Sequence, residues 1–240
     1  MSYKHGPKIV TNGLVLYLDA ANTKSYPKSG TSWYDLSNNG NNGTLTNGPT
    51  FSTLSGGSIV FDGTNDSVVT NTAVDNTLNT CTFSAWINRT DLINQVGIFN
   101  SYITNDSGFG LSSTYAAVGD ISFGYTYLNG GNYIGCNTNA NAILANNWSH
   151  VVGTWDGTFA SSGFKIYVNG VRSDSTSYSG GSVTAYAQSG YAMRIGSSYW
   201  SNAERGFFNG NIAQASIYNR VLSEAEVLQN YNVTRGRFSL

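Results

Sequence analysis

Charge, proline and cysteine are all scarce in this 240-residue chain. Asp, Glu, Lys and Arg make up 10% of the residues and the net charge is -1, whereas roughly a quarter of an ordinary soluble domain is charged. Lys and Arg form no stripe, so the sequence offers no electrostatic surface for nucleic acid. With only 3 Pro and no low-complexity run, nothing resembles a linker. We therefore expect one domain over residues 1–240, with short tails at 1–8 and 235–240.

Long apolar runs are also missing. The N-terminal segment lacks the apolar stretch of roughly 7–15 residues that marks a secretory signal. No run approaches the roughly 20 residues that a bilayer-spanning helix needs. We therefore expect synthesis in a cytoplasm, no signal peptide and no membrane insertion. Cys81 and Cys136 each border an apolar strand-like run, which in that compartment favours two buried thiols over a disulfide.

Carboxylates and histidines suited to catalysis are equally few. A glycosidase places two carboxylates beside the bond it cleaves, about 5–5.5 Å apart if retaining and about 6.5–9.5 Å if inverting. Glu224 and Glu226 belong to a helix-capping sequence, and most aspartates lie in turn sequences. His150 lies in an apolar strand pattern, where packing is its usual role, and no nucleophile–base pair is recognisable. The sequence predicts no enzymatic activity, with a glycanase that uses an unrecognised acid pair as the least favoured alternative.

What the chain has in abundance is alternation of apolar and polar residues, broken by turns rich in Gly and Asn. The clearest run is 148–157, and the next, 164–171, contains the turn sequence Asn169-Gly170. Asn-Gly favours a two-residue type I′ turn, so residues 166–173 are predicted to form a tight hairpin. Weaker versions of this arrangement recur along the chain. The pattern predicts an all-β sandwich of two antiparallel sheets.

Three other segments lead to specific expectations. Residues 58–61 and 67–70 alternate around a polar turn and are predicted to form a hairpin. Residues 22–48 are polar and rich in Asn-Gly pairs, which is typical of a surface loop. The sequence at 223–226 is a capping box, Ser-Glu-Ala-Glu, which predicts one short C-terminal helix. The residues that follow it at helical spacing, and are expected to pack on the sandwich, are Val227, Leu228 and Tyr231.

Five strand-like segments occur in a recognisable order along nearly the whole chain, namely 58–63, 82–87, 148–151, 166–170 and 210–223. In that order they resemble the laminin-G-like, concanavalin A-like jelly-roll modules. Each segment alone is a generic strand signature, but five in sequence indicate the fold. The resemblance implies a two-sheet antiparallel jelly-roll sandwich with one short C-terminal helix.

Segments near the two ends of the chain add a second resemblance. Residues 13–19 and 228–232 are similar to versions of this module in structural proteins of tailed bacteriophages. Modules of the family bind glycans or proteins, often with a structural calcium ion, and some hydrolyse polysaccharides. The phage resemblance implies a place in the virion after synthesis in the host cytoplasm. The implied partners are other virion proteins and further copies of this chain.

Calcium is the one metal ion for which the sequence offers a candidate site. Asp62, Asn65 and Asp66 share one tight turn, and Ca²⁺ takes about six to eight oxygen ligands. Calcium-binding members of the family often carry an acidic residue just after a Gly-x-Ile strand, where this chain has Ala213-Gln214. The other interpretation is that both aspartates only bind the amides of their own turn. We expect no required cofactor, with a structural Ca²⁺ at this turn as the alternative.

Aromatic side chains beside amides and hydroxyls are the candidate sugar contacts. A Tyr or Trp ring stacks on the C–H face of a sugar, while Asn supplies both a donor and an acceptor to its hydroxyls. Trp86 and Trp155 lie in apolar strands and are assigned to the core. The alternative for the remaining aromatics is that they fill the sandwich or a subunit contact. The candidate residues form two clusters: Tyr199, Trp200 and Asn202, and Tyr125, Tyr127, Asn132 and Tyr133.

These features predict a non-catalytic virion surface protein whose lectin-like domain binds host or environmental glycans, for adhesion or decoration. Copy number in a particle would multiply a weak affinity per subunit. The main alternative is a purely structural decoration or tail-associated protein that binds no sugar. Glycans and other virion proteins are the expected partners, and nucleic acid is not.

Overall fold

In a computed structural model, the chain forms two large antiparallel β-sheets that enclose one apolar core. The structure describes residues 8–74, 78–92, 95–102, 107–114, 117–127, 131–186, 190–200 and 203–240, and for Tyr127 and Trp200 it describes the backbone alone. The predicted all-β sandwich with one short C-terminal helix is therefore confirmed.

The first sheet has eight strands, which we number in chain order along with those of the second sheet. The order across it is β14-β13-β12-β7-β19-β5-β4, and β1 also pairs with β19. Its strands are β1 (Leu14–Asp19), β4 (Thr50–Ser52), β5 (Ser58–Asp62), β7 (Cys81–Arg89), β12 (Trp148–Trp155), β13 (Phe164–Val168), β14 (Val171–Arg172) and β19 (Asn209–Tyr218).

The second sheet has nine strands in the order β15-β11-β10-β9-β8-β16-β6-β3-β2. A separate two-stranded ribbon joins β17 (Ser198–Trp200) and β18 (Ala203–Arg205). The strands of the nine-stranded sheet are β2 (Ser32–Trp33), β3 (Gly43–Thr46), β6 (Ser67–Thr70), β8 (Gly97–Asn100), β9 (Gly108–Ser112), β10 (Ser122–Tyr127), β11 (Asn132–Thr138), β15 (Asp174–Gly180) and β16 (Arg194–Ile195).

The helical elements are short. Among the described residues they are the α-helix α1 (Glu224–Thr234) and three 3-10 helices, Leu54–Gly56, Ser161–Gly163 and Arg235–Phe238. Among the described residues, none of these helices has the length and apolar character needed to cross a bilayer.

Aromatic rings from both sheets meet in the core. Phe83 of the eight-stranded sheet lies 5.5–5.7 Å, centroid to centroid, from Phe99, Phe109 and Phe123 of the nine-stranded sheet. Trp155 also packs on Phe109 across the interface. Large apolar side chains at alternate strand positions therefore hold the two sheets together, since full burial of each contributes about 1.5–3 kcal/mol. Both cysteines are buried as well.

The hairpin at Asn169-Gly170 is confirmed. Both residues have positive φ, at 51° and 80°, as a type I′ turn requires. Val168 pairs with Val171 directly across the turn. Local sequence decided this element because the turn specifies its own backbone geometry.

Two other sequence predictions are wrong. Residues 58–61 and 67–70 do not pair with each other, because β5 lies in the eight-stranded sheet and β6 in the nine-stranded sheet. The intervening turn therefore crosses between the sheets. Residues 22–48 are not simply a loop, since they contain β2 and β3, and Trp33 is fully buried. Alternation identifies a strand but not its partner, which distant residues supply.

The capping box is confirmed at α1. The Ser223 hydroxyl accepts a hydrogen bond from the Glu226 amide, and the Glu226 carboxylate accepts one from the Ser223 amide. The expected packing face is only partly right, because Leu228 is 44% exposed while Val227 is buried. Asn230 is buried too, and its amide group donates to the Tyr218 hydroxyl and accepts from the Val10 amide.

The C-terminal segment covers the outer face of the eight-stranded sheet. Phe238 stacks on Trp86 at 4.0 Å and also contacts Trp148. Arg237 forms an ion pair with Asp19 of β1 at 2.7 Å. A buried phenylalanine and an ion pair therefore fix the segment over residues 235–240 that was predicted as a short tail.

Candidate functional site

The outer face of the nine-stranded sheet presents small and polar residues. Successive side chains of a strand point to opposite faces, and in β10 the large residues Phe123 and Tyr125 point into the core. Their neighbours Ser122, Gly124 and Thr126 therefore point outward. The adjacent strands follow the same alternation, so this face has the composition of a binding surface and not of a core.

A single row of paired residues crosses six strands on this face. Paired residues in adjacent antiparallel strands share a face, so the register defines the row directly. From β16 to β15 the row consists of Arg194, Asn100, Gly110, Gly124, Gly135 and Tyr178.

The Tyr178 side chain lies flat along this row instead of projecting away from the sheet. A Cβ added at Gly124 would meet the Tyr178 hydroxyl at 2.3 Å, and one at Gly135 would meet it at 2.5 Å. The hydroxyl is 3.0 Å from Ser122 Oγ. A Cβ added at Gly110 would meet nothing within 4 Å. Two glycines thus make room for a protein side chain, while the third leaves an open floor.

That open floor belongs to a cavity of about 380 Å³, which we call the Gly110 groove. A cavity of this volume falls in the range typical of small-molecule sites. None of its described lining residues is charged. The lining consists of Gln95, Asn100, Tyr102, Gly110, Ser112, Thr114, Ser122, Gly124, Tyr125, Thr126, Tyr133, Asn137, Tyr178 and Ser198.

Two side-chain amide oxygens in the groove lack hydrogen-bond partners. Asn100 is 2% exposed, and its Oδ1 is buried with no hydrogen-bond partner. Asn137 Oδ1 is also buried without a partner. Buried polar groups are normally satisfied, so these two amides are competent to bind an incoming hydroxyl.

Tyr178 and Tyr102 of the groove remain protonated at neutral pH. Burial raises the pKa of Tyr178 to about 12, and burial also raises the pKa of Tyr102. Their hydroxyls can therefore donate as well as accept hydrogen bonds. The groove offers neutral donors, neutral acceptors and aromatic faces, which together suit a polyhydroxylated ligand.

Tyr125, a predicted sugar contact, is almost wholly buried, although it is one of the residues that line the groove. It is 2% exposed and packs on Phe109, Trp155 and Tyr186 with centroids 5.0–6.4 Å apart. The polar residues around it face outward, while its own side chain follows the inward alternation of β10. The polarity of the sequence around Tyr125 therefore did not indicate which face of the sheet its side chain points to.

Tyr133 and Asn132 have different positions. Tyr133 is 41% exposed, lines the groove and packs on Tyr178 at 6.0 Å. Asn132 Oδ1 accepts the Ser182 amide, so this side chain stabilises the start of β11. The structure thus brings Tyr133 into the groove and gives Asn132 a structural contact.

The second predicted cluster is described only in part. Tyr199 lies in the ribbon strand β17, where the Arg194 guanidinium stands 5.0 Å from its ring centroid. Asn202 and the side chains of Trp200 and Tyr127 lie outside the described residues. The neighbouring Ser198 lines the Gly110 groove, which places the start of the ribbon at the edge of the cavity.

The Asp62–Asp66 turn is a compact hydrogen-bonded unit. Asp62 Oδ1 accepts the Thr64 amide at 2.7 Å, and Asp66 Oδ2 accepts the Asp62 amide at 3.0 Å. The Asn65 carbonyl accepts a hydrogen bond from Asn47 Nδ2. Burial raises the pKa of Asp66. Within the described ranges, no three His, Cys, Asp or Glu side chains gather where they could hold a metal ion.

His150 is a packing residue, as its strand pattern indicates. It is 3% exposed, stacks against Trp86 and lies 2.8 Å from Ser84 Oγ through Nε2. Burial lowers its pKa to about 3. The Ser84–His150 pair lies beneath α1 on the covered sheet face, away from the Gly110 groove.

Sequence reasoning missed the residues that define the groove. Asn100, Gly110 and Tyr178 drew no attention because their local segments look like ordinary strands. Alternation in β15, where Thr176, Tyr178 and Gly180 share one face, is a signal for an outward tyrosine. The row itself depends on pairing between residues up to 94 positions apart, which no local pattern contains.

Comparison with known families agrees with this architecture. The family model of the concanavalin A-like lectin/glucanases superfamily matches residues 62–228. The chain belongs to this superfamily. No curated protein sequence matches the chain.

Solved structures share the fold at low sequence identity. Domain 4 of an extracellular arabinanase from Geobacillus stearothermophilus, in complex with arabinotriose, has a TM-score of 0.66 at 16% identity, over 91% of this chain and 98% of that domain. A botulinum neurotoxin binding domain in complex with SialylT has a TM-score of 0.65 at 15% identity, over 93% of this chain and 52% of that one. Trypanosoma rangeli sialidase with the inhibitor DANA has a TM-score of 0.62 at 18% identity, over 94% of this chain and 34% of the enzyme.

Proposed function

We propose that the protein is a carbohydrate-binding module and that the Gly110 groove is its binding site. The observation that carries the proposal is the groove itself, which has an open glycine floor, neutral polar walls and two buried amide oxygens without hydrogen-bond partners. Membership of the concanavalin A-like superfamily supports this function, and so do the carbohydrate ligands named for two structural neighbours, arabinotriose and SialylT. Fold alone does not assign a ligand, so the site residues carry the argument.

Binding would combine ring contact with hydrogen bonds. A sugar ring seated over Gly110 would approach the backbone closely, with the Tyr178 hydroxyl and the Asn100 amide on either side along the same row. Tyr133, exposed at the edge of the groove, is placed to contact the C–H face of a second ring. Hydroxyls of the ligand would satisfy the amides that lack partners in the protein alone.

The groove is proposed to bind without catalysis. Glycoside hydrolysis normally requires two carboxyl groups at the scissile bond, and none of the described lining residues is an acid. His150 is buried beneath α1 and is no alternative base. Incubation with a broad polysaccharide panel should therefore release no product.

The biological setting that we propose is the surface of a virion, where the module mediates adhesion or decoration. The proposal rests on the resemblance of residues 13–19 and 228–232 to phage structural proteins. Other virion proteins and further copies of the chain are the proposed partners. A purely structural decoration or tail-associated protein is the competing function, and it predicts incorporation into particles without any saturable sugar binding.

A structural Ca²⁺ at Asp62, Asn65 and Asp66 stays a prediction. Both carboxylates use one oxygen on a turn amide and keep a second oxygen for a cation. Binding of Ca²⁺ to the folded state would raise the melting temperature by mass action. A thermal unfolding series in Ca²⁺ and in chelator tests this directly, and equal melting temperatures would exclude the site.

The experiment for the proposed function is a glycan array with the full chain and two valine variants. Gly110→Val places a side chain in the groove where a Cβ meets nothing, so the fold should persist while binding is lost. Gly236→Val adds the same side chain in open space on the C-terminal 3-10 helix and serves as the matched control. A blank array with folded protein would contradict the proposal and favour the structural role.

A further inference from the structure

The Gly110 groove combines complete neutrality of its described lining with a buried amide oxygen, Asn100 Oδ1, that has no hydrogen-bond partner. We propose that the groove selects uncharged sugars over sugars that carry a carboxylate, and that Asn100 is the specificity-determining residue. This inference rests on the proposed function, because it names the ligand class of the same site.

Asn100 has the position and burial that selectivity requires. Asn100 is 2% exposed and lies beside Gly110 in the cross-strand row, and its Oδ1 has no hydrogen-bond partner. A sugar hydroxyl can donate to this oxygen and also rotate to accept from the amide nitrogen. A carboxylate placed against this oxygen has no proton to donate, so it would leave the Asn100 oxygen unsatisfied.

The cation in the cross-strand row does not serve the groove. Arg194 is paired with Asn100 in the row, but its guanidinium stands 5.0 Å from the Tyr199 ring centroid and its Nε lies 3.9 Å from Glu204 Oε1. Arg194 is also not among the described residues that line the groove. A carboxylated sugar entering the groove would therefore lose hydration without gaining a counter-charge, which is strongly unfavourable.

The opposite wall offers no cation either. The Tyr178 hydroxyl is neutral and lies 3.0 Å from Ser122 Oγ, and the groove continues from there to Thr126 and Tyr133. Neutral hydroxyl and amide groups discriminate poorly among neutral sugars. They do, however, discriminate against a carboxylate, because they do not neutralise its charge. We therefore assign charge selectivity, and not the identity of one sugar, to this lining.

The test is calorimetric titration of the full chain with matched pairs of oligosaccharides. Tetrasaccharides of glucose, galactose and mannose are each compared with the uronic acid tetrasaccharide of the same linkage. We expect any tetrasaccharide that binds to do so at least tenfold more tightly than its carboxylated counterpart. Equal or tighter binding of the uronic acid member would overturn the inference and leave the proposed function intact.

Asn100→Leu separates recognition from structure. Leucine is similar in volume and replaces an unpartnered buried amide, so the variant should unfold at the same or a higher denaturant concentration than the wild type. We expect it to bind the neutral tetrasaccharide at least tenfold more weakly. Unchanged neutral binding in a folded Asn100→Leu protein would overturn the role of Asn100, whereas absence of binding by every neutral and acidic sugar would overturn the proposed function itself.

Discussion

The outer faces of the two sheets carry different residues, and one face is covered by other elements while the other stays open. On the eight-stranded sheet, Trp86 and Trp148 point outward and are covered by α1 and the C-terminal 3-10 helix. On the nine-stranded sheet, glycine, serine and asparagine point outward and a cavity stays open. Outward aromatic side chains are removed from water only when other residues cover them, whereas small polar side chains can stay in contact with water. The comparison teaches that the outward tryptophans of the eight-stranded sheet stabilise the fold beneath a cover, and that the proposed binding surface lies on the face that stays open.

The largest expected effect is on the covered face. Trp86 is 1% exposed, stacks on Phe238 and donates from Nε1 to Thr234 Oγ1 at 2.8 Å. Trp86→Ala removes this anchor, and we expect a loss of about 3–5 kcal/mol in the free energy of unfolding. Urea unfolding measures it. A loss below 1 kcal/mol would mean that the C-terminal segment does not depend on this stack.

Acid should also act through the covered face. Burial lowers the pKa of His150 from 6.5 to about 3, so below pH 6.5 the unfolded state binds a proton that the folded state does not. Stability should therefore fall as the pH drops from 6.5 toward 3. Unfolding free energies from pH 7 to pH 4 should fall less steeply in His150→Gln than in the wild type. Parallel curves would show that His150 is not responsible.

The open face offers a comparison between two glycines of one row. Gly124→Ala places a Cβ 2.3 Å from the Tyr178 hydroxyl and 2.6 Å from the Ile134 carbonyl oxygen, and we expect it to cost about 1–3 kcal/mol. Gly110→Ala meets no atom and should change stability by no more than about 0.5 kcal/mol. Thermal and urea unfolding of both variants checks this. Equal costs would mean that Tyr178 does not lie across the row.

The smallest effect is expected at the helix start. Hydrogen bonding to Arg220, at 2.6 Å, holds the pKa of Glu226 at about 2, below its ordinary 4.5. The ionised carboxylate therefore stabilises the fold above pH 4.5, and this contribution is lost as the pH falls toward 2. Glu226→Gln should cost about 1 kcal/mol at pH 7 and less at pH 3. A cost that does not shrink in acid would contradict the ionic contribution.

Local sequence predicted the parts of this protein that are locally determined. The Asn169-Gly170 turn and the capping box at Ser223 each contain their own geometry within a few residues. The partner of β5 could not be read from residues 58–70, because pairing with β19 depends on residues about 150 positions away. The sandwich could be predicted from the sequence, but the pairing of its strands could not.

The site was less predictable than the fold. Of the candidate sugar contacts, Tyr133 and Tyr125 both line the Gly110 groove, but Tyr133 is exposed there whereas Tyr125 is buried in the core. Polarity of the surrounding sequence suggested both, but only strand alternation and pairing decide which side chains face outward. Gly110 carries no side chain for a sequence argument to single out, although its lack of one is what opens the groove.

The central claim is that the open face binds sugar and the covered face does not. The most direct measurement is a titration of isotope-labelled protein with a neutral tetrasaccharide, followed through the backbone amide chemical shifts. We predict saturable shifts at Asn100, Gly110 and Gly124, with α1 and the C-terminal 3-10 helix unchanged. Saturable shifts on α1 with none in the row, or no shifts at all with any sugar of the panel, would contradict the account.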